Sequence, residues 1–130
     1  MVTHYKVGYQ LEHRARKVLE KNGWLVVRSP ASKSETDLFA TKNGENLFVQ
    51  CKKTMNDRMS ISGMDEILAV SRKYKAVPVL AYSFKGSPVY AVEITKNSYS
   101  LRAQGRENQK LEKYLIQREL NNEYDNMMAV

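Results

Sequence analysis

An aspartate at position 37, a glutamine at 50 and a lysine at 52 form the smallest set in this chain that could act on a phosphate, provided the fold turns all three to one side. Asp37 offers negative charge, the Gln50 side-chain carbonyl a neutral oxygen, and Lys52 an ammonium. Oxygen donors of this kind suit a hard divalent cation such as Mg2+, which takes one or two carboxylates and keeps waters and phosphate oxygens in its other positions. Lys52 would stabilise charge developing on a phosphate or hold the attacking water. One aspartate binds such an ion weakly, so a second carboxylate is wanted. Glu12, set between Leu11 and Ala15 at the margin of an amphipathic helix, is the candidate. A plainer reading stands beside this one: Asp37 at a strand edge, with Gln50 and Lys52 on the wetted face of an edge strand.

A hairpin would bring the three together. DLFAT and NLFVQCKK are apolar-polar runs flanking Asn43-Gly44, a pair that favours a type I′ turn because both central residues take positive φ. A two-residue turn there sets Lys42 opposite Glu45, Phe39 opposite Phe48, Leu38 opposite Val49 and Asp37 opposite Gln50. Directly opposed side chains share a sheet face, with Cβ atoms about 4.5–5.5 Å apart. Because strand side chains alternate, Lys52 joins Phe48 and Gln50, whereas Leu47, Val49 and Cys51 point the other way. Cys51 is thereby read as core.

The rest of the chain supplies elements to hold this hairpin. Leu11, Ala15, Val18 and Leu19 recur at helical spacing through 9–21, and Asn22-Gly23 stops the helix. WLVVR at 24–28 reads as a strand, with Trp24 structural, and 29–35 as a turn-rich loop. KTMNDRMSISG reads as a polar linker, and Ser62-Gly63-Met64-Asp65 as a capping box opening a helix over 64–75. Met64, Ile67, Leu68 and Ser71 line one side of that helix. VPVLAYSF and SPVYAVEI read as a second hairpin about Lys85-Gly86, and 105–124 as a third helix carrying Leu111, Tyr114 and Leu115. The order α-β-β-β-α-β-β-α predicts an α/β fold with a mixed central sheet flanked by helices.

Composition bounds the function classes. The 130 residues suit one domain, 1–130, with 42% hydrophobic and 27% charged residues, an ordinary globular balance. No apolar run approaches the roughly 18 residues of a membrane helix, and the first ten residues lack a secretory hydrophobic stretch. A cytoplasmic, intracellular protein without a membrane partner is expected, and one cysteine allows no internal disulfide. His4 and His13 with that cysteine make no zinc pattern. The net charge of +7 is distributed: residues 1–22 hold five Lys/Arg against two acids, and 96–118 six against two. Such charge can converge on one face and neutralise several phosphates, as a nucleic-acid ligand requires.

The run GYQLEHR at 8–14, RSPAS at 28–32, TDL at 36–38 and VQCK at 49–52 resembles the archaeal-type Holliday-junction resolvases of the PD-(D/E)XK nuclease superfamily. Order and spacing agree from about residue 8 to 52. The resemblance implies a restriction-endonuclease-like fold and a metal-dependent DNA endonuclease, a homodimer that nicks four-way junctions. It places divalent metal, Mg2+ with Mn2+ as substitute, on Glu12, Asp37, Gln50 and the backbone carbonyl of Cys51. It makes Lys52 the aid to the attacking water, and adds Arg28 and Ser32 as catalytic residues. Arg14, Arg28, Lys53, Arg58 and Arg72 would hold the arms of the branched DNA. It also makes part of the Met64, Ile67, Leu68 stripe a candidate dimer surface. The chain departs from the family pattern at His13 after Glu12, at Thr36 before Asp37 and at Gln50, which replaces the glutamate of E-X-K. Two other readings remain: a PD-(D/E)XK endonuclease with another DNA target, and a non-catalytic nucleic-acid-binding module.

Overall fold

The Asn43-Gly44 turn forms, with φ of 51° and 79°, and everything else is arranged around the hairpin it closes. The computed structural model describes residues 4–29 and 37–129, with side chains from Gln10 onward in the first helix. In chain order these form α1 (His4–Lys21), β1 (Leu25–Arg28), β2 (Leu38–Lys42), β3 (Glu45–Lys53), β4 (Arg58–Ile61), α2 (Asp65–Lys73), β5 (Val77–Ser83), β6 (Tyr90–Glu93), β7 (Tyr99–Arg102) and α3 (Leu111–Met128). Strands β2 and β3 pair in the expected register from Lys42↔Glu45 to Leu38↔Val49. The facing rings of Phe39 and Phe48 meet edge to face, with centroids 5.2 Å apart.

The main sheet runs β1-β2-β3-β5-β6. It is mixed: β3 and β5 are parallel and the other neighbours antiparallel. A parallel step needs a crossover, which β4 and α2 supply. Alternation along β5 feeds both faces of the sheet. Val79 and Ala81 pack with Leu11, Ala15 and Leu19 of α1 and Leu111 and Leu115 of α3. Leu80 and Tyr82 pack with Ile67 of α2 and with Ile61 and Leu101 of β4 and β7. The sheet is thus a middle layer, and each fully buried Leu or Ile contributes about 1.5–3 kcal/mol. Trp24 is buried in the α1 side as expected.

Several expectations need correction. The stretch read as a polar linker contains β4, which pairs with β7 to make a separate two-stranded ribbon. Neither strand is longer than four residues, and each is half polar, so their pairing is invisible until both are packed. Helix α1 begins at His4 rather than 9, and α3 runs from Leu111 to Met128. Ser62 does not cap α2, since no side-chain cap bond is made there. Instead Asn97 accepts the Met64 N–H on its carbonyl at 3.2 Å and the Asp65 N–H on Oδ1 at 3.1 Å. Met64, Ile67 and Ser71 are buried within the chain, so the stripe proposed as a dimer surface is intramolecular core. Among the described residues no helix is long and apolar enough to cross a membrane.

Candidate active site

Asp37 stands just before β2, and its backbone is held from both sides. Its carbonyl accepts from Ser29 N–H and its N–H donates to the Val49 carbonyl, each at 2.9 Å. That second bond falls on Val49 rather than on the expected partner Gln50, so the hairpin ladder ends in an irregular step. The carboxylate then reaches over β3, where Oδ2 accepts the Cys51 N–H at 2.7 Å. Asp37 is therefore bonded to the residues immediately before and after Gln50. Sequence reasoning paired Asp37 with Gln50 but missed the Cys51 amide, because main-chain donors leave no mark in residue types.

Glu12 comes from α1, and Arg28 is the last residue of β1. Glu12 Oε2 accepts Arg28 Nε at 2.8 Å, and the glutamate side chain is only 18% exposed. The site thus draws one group from each of four successive elements: α1, β1, the entry to β2, and β3. Their fields overlap. Burial, and then the Asp37 charge, push the Glu12 carboxyl above its ordinary range, with Arg28 opposing. Burial likewise raises Asp37, against the Cys51 N–H, Lys52 and Arg28. Cys51 packs against the core on the α1 side, and its thiol is pushed well up by burial and by the Asp37 and Glu12 charges. Two partly dehydrated carboxylates that repel one another are a setting that a bound cation would relieve.

Gln50 lies half-buried in β3, opposite Leu80 of β5, and its amide has no hydrogen-bond partner among the described residues. Lys52 is exposed two residues on. No group of three or more His, Cys, Asp or Glu side chains among the described residues is arranged to hold a metal. The carboxylates brought together are Glu12 and Asp37; Asp37 is bonded to Val49 and Cys51, the chain neighbours of Gln50. Ser32 lies outside the described residues. Arg14 Nη2 donates to the Ser87 carbonyl at 2.7 Å, tying α1 to the β5–β6 connection. Lys53 closes β3 half-buried, while Arg58 opens β4 and Arg72 lies in the last turn of α2, both exposed.

A family model described as archaeal Holliday junction resolvase (Hjc) matches residues 3–122. The crossover junction endodeoxyribonuclease Hjc of Methanocaldococcus jannaschii is 32% identical over 88 residues, which span 66% of this chain and 65% of that relative's length. The structure of Archaeoglobus fulgidus Hjc, a Holliday junction resolvase from an archaeal hyperthermophile, superposes with a TM-score of 0.70 at 13% identity, covering 84% of this chain and 95% of that one. A bacterial homing endonuclease superposes with a TM-score of 0.57 at 15% identity, covering 97% and 99%. At these identities the structural likenesses establish a shared fold, the expected mixed sheet flanked by helices.

Proposed function

The chain belongs to the archaeal Holliday junction resolvase family, and from that premise we propose that it is a metal-dependent DNA endonuclease that nicks four-way junctions as a homodimer. The observation that carries the reading is the convergence of Glu12 and Asp37, with Arg28 and Lys52 in their field and Asp37 locked onto the Cys51 amide. Two repelling carboxylates, with the Gln50 amide oxygen as a further donor that has no partner among the described residues, fit Mg2+, with Mn2+ as substitute, because Mg2+ needs few protein oxygens. When bound, the cation polarises phosphate oxygens and makes water a better nucleophile.

The chain's own groups divide the remaining work. The Cys51 N–H holds Asp37 through Oδ2, and the Asp37 carboxylate so positioned would help hold the cation. Glu12 supplies the second charge, while Gln50 and the Cys51 carbonyl add neutral oxygens. Lys52 steadies the attacking water and the charge that builds on phosphate. Arg28, oriented by Glu12 through Nε, and Ser32 belong to the same set by family resemblance. Arg14, Lys53, Arg58 and Arg72 hold junction arms through the backbone, so recognition depends on branched shape and weakens as salt rises. Such an enzyme acts where the genome is, inside the cell.

Nicking two strands of one junction calls for two sites related by symmetry, hence a second copy of the chain. A groove of about 590 Å³ between the β1 edge and α2 supports this, lined by Leu25, Val27, Phe39, Phe48, Val70 and Tyr74. Leu25 and Tyr74 are 66% and 58% exposed there, and among the described residues β1 leaves one edge of the sheet unpaired.

The deciding experiment compares cleavage of a labelled, immobile four-way junction with cleavage of linear duplex, with and without Mg2+, for the unmodified protein and Asp37→Ala. Junction-selective, Mg2+-dependent nicking that Asp37→Ala abolishes, with junction binding retained, is expected. Equal cutting of linear duplex would reassign the target. Binding without any cleavage would favour a non-catalytic module, the reading that Gln50 favours by removing one negative charge.

A further inference from the structure

The β4–β7 ribbon is small, lies outside the carboxylate site, and has an unusual outward face. Met59 and Ile61 on one strand, and Tyr99 and Leu101 on the other, turn inward to the core on the α2 side. The alternate positions turn outward, where Arg58 is registered against Arg102 and Ser60 against Ser100. The Ala103 N–H donates to the Asp57 carbonyl at 2.8 Å, so the ladder's hydrogen-bonded pair is 57/103 and the 58/102 pair is the narrow, non-bonded one. In such a pair the Cα atoms stand only about 4.5 Å apart and the side chains are closest. Like charges directly opposite destabilise a strand pair. Yet neither arginine makes an ion pair or side-chain hydrogen bond among the described residues.

We propose that the Arg58–Arg102 pair, flanked by the Ser60 and Ser100 hydroxyls, is a phosphate clasp that holds the backbone of one duplex arm away from the cleavage site. Two guanidinium forks side by side match a phosphate's oxygens, and the hydroxyls add donors of adjustable direction. The anion removes the repulsion that the free ribbon carries. Reach is adequate: Arg58 follows Lys52 by six residues, at most about 20 Å of chain. At 3.4 Å per nucleotide, an arm leaving the site meets the ribbon within about six nucleotides. The inner face of the ribbon packs on the side of the sheet that carries Phe48, the side to which alternation assigns Gln50 and Lys52.

This inference rests on the DNA-binding part of the proposed function. Its test is metal-free binding of a labelled four-way junction and a linear duplex at several salt concentrations. The variants are R58Q/R102Q and the charge-matched K17Q/K113Q, whose positions lie on α1 and α3 across the sheet. For R58Q/R102Q, junction affinity is expected to fall at least tenfold near 0.1 M salt, and the salt slope to shrink by about 1, the share of one phosphate. K17Q/K113Q should change affinity less than about threefold. The melting temperature of R58Q/R102Q should hold or rise, since a like-charged pair has been removed. Affinity and slope equal to those of K17Q/K113Q would overturn the clasp, as would a lowered melting temperature with DNA binding unchanged. If the unmodified protein binds duplex as well as junction but loses both in R58Q/R102Q, junction selectivity fails and the clasp stands. A protein that binds no DNA overturns both.

Discussion

At the scale of single residues, the carboxylate pair makes a stability argument as well as a catalytic one. Glu12 and Asp37 both titrate above their ordinary values of 4.5 and 3.8, so the metal-free fold binds more protons than the unfolded chain. Their contribution is fully present below the unfolded values and is lost as pH rises through the folded ones. Asp37→Asn keeps an acceptor for the Cys51 N–H but removes the charge. Without metal it should melt above the parent at pH 7, and the gap should close as pH falls toward 4, as thermal melts across that range would show. Its Mg2+-dependent cleavage should drop by about 10²–10³-fold or more. Gln50→Glu runs the other way. A third negative charge should lower the Mg2+ concentration for half-maximal cleavage by roughly threefold to tenfold, and should lower the metal-free melting temperature. A titration showing no change in Mg2+ requirement would remove Gln50 from the metal's surroundings.

Among elements, the hairpin and β5 carry the design. The turn sets the β2–β3 register, and β5 supplies alternating side chains to both cores. One detail of α2 is out of step: the Ser71 hydroxyl is buried and has no hydrogen-bond partner among the described residues. Ser71→Ala removes an unpaired polar atom at little cost in volume, and should stabilise the protein by about 1 kcal/mol in denaturant melts. Helix α3 is fastened to the sheet by polar contacts as well as by the burial of Leu111 and Leu115. Arg118 pairs with Glu45 and Glu93, Lys42 meets Glu119 at 3.1 Å, and the Tyr114 hydroxyl donates to Glu93 at 3.0 Å. Those partners are distant in sequence, so hydrophobic spacing placed the helix but could not show what secures its C-terminal half.

For the whole molecule, the exposed groove beside β1 and α2 governs assembly in the proposed enzyme. Leu25 lines it and is not part of the buried core, so Leu25→Asp should disrupt pairing of copies without unfolding either one. Sedimentation is expected to shift from dimer to monomer at micromolar concentration, with the circular dichroism spectrum preserved. A parent that sediments as a monomer at high concentration would refute the dimer. A variant that remains dimeric would move the interface elsewhere. The misplaced dimer surface teaches a physical point: an apolar helix stripe looks the same whether it covers its own sheet or a neighbour's. Met64 and Ile67 turned out to cover their own.

The residue pattern alone determined the β2–β3 register, the face on which Cys51 lies, and the candidacy of Glu12, Asp37 and Lys52, because turn chemistry and side-chain alternation act over a few residues. Only the tertiary structure decided that Asp37 would bond to the Cys51 amide, that Arg28 would pair with Glu12, and that Arg58 would face Arg102. Each of those joins segments through backbone donors or long-range strand pairing, and the energy that selects them comes from burying two cores at once.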